Sequence, residues 1–170
     1  REAKPAREPI NFIKPIIDGR VTNYFEWMGS GFFAGKGHGV AMHEAVTLMK
    51  GCYYGFNETS LFLRADVDHS FIGDIADASF EINLMAKENF KIVYCIKDKR
   101  LDTTLPATAM FADILEVEIP FSALGVEKNE KIDVWLSVKM NDMFVDRIPK
   151  RGYISIKVPS ETFEMEMWYV

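Results

Sequence analysis

Outward-facing aromatic side chains are the residues whose type and spacing suggest a binding chemistry. From Ile132 to Lys139 the apolar residues alternate, which places Trp135 on the polar face of the predicted strand. The same alternation in residues 163–170 places Trp168 on a face with two glutamates. Such a ring can stack on the apolar face of a pyranose while polar neighbours bind its hydroxyl groups. Both tryptophans are candidate carbohydrate-binding residues, unless another domain or the amino-terminal arm covers them.

A second aromatic cluster precedes a glycine-rich stretch over residues 29–39. It contains Tyr24, Glu26 and Trp27. Glycine permits unusual backbone angles and close approach, so one interpretation is a binding loop that presents these three side chains to a sugar. The alternative is an aromatic plug that seals one end of the fold. Because both faces of this short run are bulky, alternation does not decide between them.

The acidic residues do not form a catalytic arrangement. Glycosidic cleavage needs two carboxyl groups in a cleft, one of them with a raised pKa. Glu116 and Glu118 are adjacent on a polar strand face, where solvation keeps both ionised. The His43-Glu44 pair is not a zinc-protease helix, because Thr47 stands where the second histidine is required. We therefore predict no catalytic residue.

The sequence offers few candidate ligands for a metal ion or cofactor. A histidine cluster would require His38, His43 and His69 to converge. Haem is not expected, since Met42 and His43 are adjacent and point apart in a strand. Calcium is the one ion for which oxygen ligands are close in sequence; they are Asp66, Asp68 and Asp74. The alternative is a solvated strand edge, and we predict no cofactor.

The elements that position these residues are short strands. Period-two alternation recurs along the 170-residue chain, in which 48% of residues are hydrophobic. The predicted strands cover residues 61–67, 80–84, 90–97, 115–119, 132–139, 154–158 and 163–170. Helix is expected only in two short segments, 121–124 and 43–49. This pattern predicts an all-β fold, a two-sheet antiparallel β-sandwich of jelly-roll or immunoglobulin-like type.

Composition limits the domain count and the partners. Residues 1–9 are charged and proline-containing and predict a linker or extended arm, followed by a single sandwich domain over residues 10–170. The net charge of -5, without basic-aromatic clusters, argues against nucleic acid. Because no apolar run is long enough to span a bilayer, we expect no membrane association and a cytoplasmic domain. Cys52 and Cys95 lie in apolar runs and are expected to be free thiols.

Three segments together resemble a known family. They are residues 10–27, the Tyr53-Tyr54-Gly55-Phe56-Asn57 run leading into Leu61-Phe62-Leu63-Arg64, and residues 119–125. This arrangement resembles the carboxy-terminal domain attached to many glycoside hydrolase family 57 enzymes. More distantly it is similar to the DOMON-type sandwich, also seen in glucodextranase-like domains and family 9 carbohydrate-binding modules.

The resemblance implies a non-catalytic accessory domain beside a glucan-processing catalytic domain of amylase or glucanotransferase type. Its implied partners are that catalytic domain and an α-glucan such as starch or glycogen. It transfers no sugar-binding positions. Our hypothesis is therefore a carbohydrate-binding domain that uses Trp135, Trp168 and the Tyr24, Glu26, Trp27 cluster. The alternative is a structural domain that packs on the catalytic domain without binding sugar.

Overall fold

The protein is a two-sheet antiparallel β-sandwich, as the alternation predicted. A computed structural model describes residues 1–35, 47–71 and 73–168. The first sheet has the strand order β1 (Gly31–Ala34), β2 (Met49–Phe56), β3 (Ser60–Val67), β8 (Ile114–Pro120) and β7 (Thr108–Phe111). The second has the order β10 (Met143–Ile148), β9 (Lys131–Met140), β4 (Ser79–Met85), β5 (Asn89–Cys95) and β6 (Arg100–Asp102), with β11 (Ile154–Lys157) also paired to β9.

The hydrophobic core lies between the two sheets. Alternate residues of each strand point inward, so Ile132, Val134 and Leu136 of β9 face the inward side chains of β3 and β8. Burying one such aliphatic side chain contributes about 1.5–3 kcal/mol relative to leaving it exposed. The same alternation leaves Trp135 on the outer face of the second sheet, where the sequence placed it.

Local signals in the sequence located several elements. The predicted hairpin of residues 80–97 is the β4–β5 pair, in which Phe80 is opposite Tyr94. Residues Phe121–Leu124 form a single 3-10 turn. That turn ends at Gly125, whose φ of 66° is in the left-handed region that favours glycine.

The predicted strand over residues 163–170 is wrong in the part that the structure describes. Residues Phe163–Trp168 form a short helix, α1, and residues 169–170 lie outside the described chain. Glutamate and methionine form helices readily, and no strand lies beside this segment to accept its hydrogen bonds. Met165 and Met167, which a strand would have turned toward the core, are consequently exposed.

Strand β10 was not predicted, because a β-bulge disrupts its alternation. The register of β10 on β9 shifts between Phe144 and Asp146. The preceding Asn141 and Asp142 both have positive φ, as a two-residue hairpin turn requires. That Asn-Asp pair was the available signal for the hairpin.

The amino-terminal arm is bound to the sandwich. The amide of Ala3 donates a hydrogen bond of 2.9 Å to the carbonyl of Tyr153. Arg7 forms an antiparallel bridge with Phe32 of β1. The bridge to Phe32 satisfies part of the backbone hydrogen-bonding capacity at the exposed edge of β1.

Both cysteines are free thiols. Cys52 is buried in the first sheet, while Cys95 is in the second sheet opposite Ser79. Among the described residues no helix is long and apolar enough to cross a membrane.

Candidate functional site

The outer face of the six-stranded sheet carries one aromatic ring surrounded by polar side chains. We call this surface the Trp135 face; it consists of Trp135, Ser137, Arg147, Glu81 and Asn83. The strand register fixes their arrangement: Ser137 of β9 is opposite Arg147 of β10 on one side and Glu81 of β4 on the other. Trp135, two residues along β9, is opposite Asn83. Neighbouring strands are about 4.8 Å apart, so the five side chains form one contiguous patch.

Arg147 is held next to the indole of Trp135. Its guanidinium carbon lies 5.3 Å from the ring centroid, within the range of a cation–π contact. Partial removal from water lowers the pKa of Arg147 from its ordinary value. Arginine keeps its charge at neutral pH despite this shift, because its pKa is normally above 12. The face therefore combines a flat apolar ring with a charged, multidentate hydrogen-bond donor.

Glu81 is the unusual residue of this face. Its exposed fraction is only 5%, and one carboxylate oxygen, Oε2, has no hydrogen-bond donor among the described residues. The other oxygen lies 3.8 Å from the ammonium of Lys91 on β5. A buried acceptor without a donor costs about 1–3 kcal/mol of folding free energy, so such groups are rare in natural proteins. The carboxylate of Glu81 is available to accept a hydrogen bond from a bound molecule.

Two further polar side chains belong to this face. They are the half-buried Asn83 and Ser137, which is only 4% exposed. A side-chain amide has N–H donors and a carbonyl acceptor, and a hydroxyl group can both donate and accept a hydrogen bond. The face thus offers hydrogen-bond acceptors at Glu81 and donors at Arg147. Asn83 and Ser137 can act as either.

The Tyr24, Glu26 and Trp27 cluster is divided by the fold. Tyr24 is 81% exposed, whereas Trp27 is only 4% exposed and packs with Ile13 and Phe62. Residues 10–30 cover the outer face of the five-stranded sheet, so this packing buries Trp27 against a sheet face and not at one end of the fold. Phe62, on the same outer face, is buried by this segment as well.

Glu116 fixes this covering segment. Its carboxylate accepts hydrogen bonds from the indole Nε1 of Trp27 at 3.0 Å and from the amides of Gly19 at 2.9 Å and Asp18 at 3.2 Å. The residue is fully buried, and removal from water raises its pKa to about 7 although these three bonds oppose the shift. The sequence interpretation of Glu116 as a solvated, ionised residue is therefore wrong.

A cleft of about 460 Å³ lies beside the exposed part of the cluster, between residues 11–16 and 23–28. Apart from the exposed Lys14, its polar side chains already bind the backbone. Glu26 accepts hydrogen bonds from the amides of Ile16, Thr22 and Asn23. Asn11 donates to the carbonyls of Phe12 and Met28. Because these groups are occupied, the cleft has fewer ways to recognise a hydroxyl group than the Trp135 face.

Trp168 lies apart from both surfaces. It is 85% exposed at the end of α1, whose Phe163 stacks on Phe12 at 5.6 Å and contacts Phe56. Its neighbours along the chain are the exposed Met165 and Met167. The fold therefore does not bring together Trp27, Trp135 and Trp168 in one groove.

Two of the three candidate oxygen ligands for calcium, Asp66 and Asp68, are already paired. Asp66 binds the guanidinium of Arg64 through both oxygens, at 2.6 and 2.8 Å. Asp68 accepts hydrogen bonds from the amide and hydroxyl of Ser70, which lower its pKa. In the described ranges no three His, Cys, Asp or Glu residues are grouped as metal ligands. His38, His43 and Met42, and with them the haem and histidine-cluster interpretations, lie outside those ranges, as do Gly37 and Gly39.

Sequence reasoning placed Trp135 on an outer face but missed Glu81, Asn83 and Arg147 beside it. The alternation of Phe80, Glu81 and Ile82 already pointed Glu81 outward, so this residue could have been found by pairing the predicted strands. Arg147 could not, because the bulge in β10 hides which of its residues face outward.

Solved structures with a similar fold were found despite low sequence identity. One is a family 9 carbohydrate-binding module from Caldicellulosiruptor kristjanssonii in complex with cellotriose, with a TM-score of 0.55, 14% identity, and coverage of 92% of this chain and 96% of that chain. Another is a family 9 module from the same organism in complex with glucose, with a TM-score of 0.51, 14% identity, and coverage of 88% and 84%. The sequence matches no protein-family model and no curated protein. At this identity the likeness establishes a shared β-sandwich fold.

Proposed function

We propose that this chain is a non-catalytic carbohydrate-binding domain that holds sugar on the Trp135 face. The main support is the buried Glu81 oxygen without a donor, which lies on the same sheet face as the indole of Trp135. A sugar offers what both groups lack: a hydroxyl donor for the carboxylate and an apolar ring face for the indole.

The proposed binding mode follows from the strand register. A pyranose ring stacks on Trp135, while its hydroxyl groups donate to Glu81 and accept from Arg147, which lie on either side of Ser137. Hydrogen bonds to charged groups are about twice as strong as those between neutral groups. Since Ser137 is small, it leaves room between the two charged side chains.

Binding requires a rearrangement of side chains. The guanidinium of Arg147 lies over the ring of Trp135, and Glu81 and Ser137 are almost fully covered. A stacked sugar would displace the guanidinium from the ring of Trp135. The guanidinium would then lie beside the hydroxyl groups of the sugar. Side-chain rotamer changes are common on binding. This one breaks the hydrogen bond that Nη1 of Arg147 donates to the carbonyl of Pro149, and the hydroxyl groups of the sugar replace that acceptor.

We propose an α-glucan, of starch or glycogen type, as the polymer. The support is the resemblance of residues 10–27, 53–64 and 119–125 to the domain attached to family 57 glycoside hydrolases, which also suggests an amylase or glucanotransferase as the neighbouring catalytic domain. The family 9 modules of similar fold are in complexes with glucose and cellotriose, so β-glucans are the necessary comparison.

The experiment is calorimetry and affinity gel electrophoresis of the chain with glycogen, amylopectin, maltoheptaose and cellotriose. Retardation by glycogen and amylopectin, with heat on adding maltoheptaose, is the expected result. Binding to cellotriose alone would retain carbohydrate binding and overturn the α-glucan assignment. The absence of heat and retardation with every sugar would overturn the proposed function.

The second candidate is a structural domain that packs on a catalytic domain. It is favoured by one observation: α1 carries three exposed apolar side chains, Met165, Met167 and Trp168, and Met167 lines a cleft of about 380 Å³. Clustered exposed apolar side chains are typical of contact surfaces. Absence of glucan binding, together with a loss of the contact when Trp168 is changed to Ser in the longer protein, would support this candidate.

A further inference from the structure

We infer that the Trp135 face extends along β9 to Phe144 and binds a run of consecutive sugar units in a polysaccharide chain. This inference rests on the proposed function, and it specifies a chain lying along the strand instead of a single sugar. The structural basis is a second exposed aromatic residue, Phe144, on the same side of the sheet as Trp135.

The register of the β9–β10 hairpin places the two aromatic residues on one face. Phe144 is opposite Lys139, and the ammonium of Lys139 lies 5.3 Å from the Phe144 ring centroid. Lys139 is four residues from Trp135 in the same strand, so their side chains point to the same side. At about 3.3 Å per residue, the two positions are about 13 Å apart along the strand. That distance is longer than one pyranose ring.

The β-bulge is what allows Phe144 and Arg147 to share this face. Residues three apart in a regular strand point to opposite sides of a sheet. The register shift between Phe144 and Asp146 removes this conflict, so that Phe144 and Arg147 both point outward. Asp146 instead points inward, where its carboxylate accepts a hydrogen bond of 2.8 Å from the amide of Met49. Bulges commonly re-aim side chains next to functional sites.

Phe144 is also exposed to an unusual extent for an aromatic residue in a strand. Its exposed fraction is 61%, and the ring has no aromatic neighbour among the described residues. Arg147 and Lys139 each lie over one of the two rings, so the surface alternates aromatic and cationic groups. This composition suits a polyhydroxylated chain better than an apolar protein surface, because a dry interface would bury two positive charges. The hydrogen bond of Arg147 to the carbonyl of Pro149 does not neutralise the charge of the guanidinium.

The strand position between the two rings carries only the small side chain of Ser137. The two cations that lie over the rings are at the ends of long side chains, and a bound chain displaces them from the rings. Ser137 lies midway along β9, with Glu81 and Arg147 on either side of it. A chain that stacks on Trp135 at one end and Phe144 at the other would therefore pass over Ser137 and contact both charged groups. The two rings act as separate stacking positions for different sugar units.

The test is a length series measured by calorimetry: maltose, maltotriose, maltopentaose and maltoheptaose, with the matching cello-oligosaccharides. Affinity is expected to rise with length until the chain reaches both rings. Phe144→Ala should lower the affinity for the longest oligosaccharide about tenfold while leaving maltose binding unchanged, in line with the effect of removing an aromatic anchor. Met143→Ala is the matched control, since Met143 is adjacent and exposed but its side chain alternates to the other side.

The outcomes separate this inference from the proposed function. Equal affinity for all lengths, or a Phe144→Ala effect that is absent or the same for every length, would overturn the inference while carbohydrate binding stands. No binding to any oligosaccharide would overturn both. A change of sedimentation coefficient in Phe144→Ala, with unchanged sugar affinity, would assign the ring to contact between copies of the chain and likewise overturn the inference.

Discussion

The indole Nε1 of Trp27 donates a hydrogen bond of 3.0 Å to the carboxylate of Glu116, and neither side chain is accessible to solvent. Trp27 belongs to the amino-terminal segment and Glu116 to strand β8. Their bond, with the two from the amides of Gly19 and Asp18, attaches that segment to the outer face of the five-stranded sheet. A buried carboxyl group with a raised pKa therefore couples the attachment of this segment to pH.

The stability contributed by Glu116 is expected to fall as the pH rises. Its pKa is about 7 in the folded protein and 4.5 in the reference state, so the folded form holds the proton more tightly between these values. Stability is then fully present below about pH 4.5 and is lost as the pH rises through about 7. Since a tenfold change in proton affinity is worth about 1.4 kcal/mol, the loss is about 3 kcal/mol at most.

Glu116→Gln is the variant that isolates this effect, because glutamine does not titrate. Urea denaturation at a series of pH values should show a smaller decline between pH 4.5 and 7 in the variant than in the parent chain. Glu118→Gln, a change in the same strand at a group that is less buried, is the control and should leave the decline intact. Parallel pH profiles for Glu116→Gln and the parent would contradict the raised pKa.

Trp27 is expected to matter for stability and not for sugar binding. Trp27→Phe keeps the ring in the core but removes the N–H group, which leaves Glu116 with one donor fewer and should cost about 1–3 kcal/mol. Denaturant melts measure this cost. Tyr24→Ala, at an exposed position in the same segment, should change stability by less than about 0.5 kcal/mol. A large loss of glucan affinity in folded Trp27→Phe would indicate a site on this segment instead.

Trp135 and Trp168 provide a matched pair for glucan binding. Trp135→Ala should weaken binding to maltoheptaose by about 1–3 kcal/mol, because it removes the stacking ring of the Trp135 face. Trp168→Ala removes an equally large but more exposed ring at α1 and should leave the affinity unchanged. Titration calorimetry measures the maltoheptaose affinity of both variants. The reverse ranking would place the sugar at α1.

Glu81→Gln should separate binding from stability. The change removes a buried charge whose Oε2 lacks a donor, so the free energy of unfolding should stay the same or rise. Glucan affinity should fall about tenfold, since a charged hydrogen-bond acceptor becomes a neutral one. Calorimetry combined with denaturant melts measures both quantities. A marked loss of stability with unchanged affinity would mean that Glu81 has a structural role.

Much of the fold was predictable because alternation is a local property. The pattern of Ile132, Val134 and Leu136 was sufficient to place Trp135 on an outer face, and the β4–β5 hairpin followed from two alternating runs with a short turn. Alternation was misleading at residues 163–168, because the same pattern of glutamate and methionine is compatible with a helix when no strand is available for pairing. Whether a partner strand exists is not a local property.

The sequence by itself determined the two-sheet architecture and the outward position of Trp135, since both depend on the order of side chains along single strands. Only the tertiary structure decided which polar groups share a surface with that ring. The pairing of β4, β9 and β10 brings together Glu81, Ser137 and Arg147 from distant parts of the chain, and the bulge in β10 sets the direction of Arg147 and Phe144. Likewise, burial beneath residues 10–30 changed Glu116 from an expected surface carboxylate into a buried group with a raised pKa, because solvent exposure depends on the segments that pack over a residue.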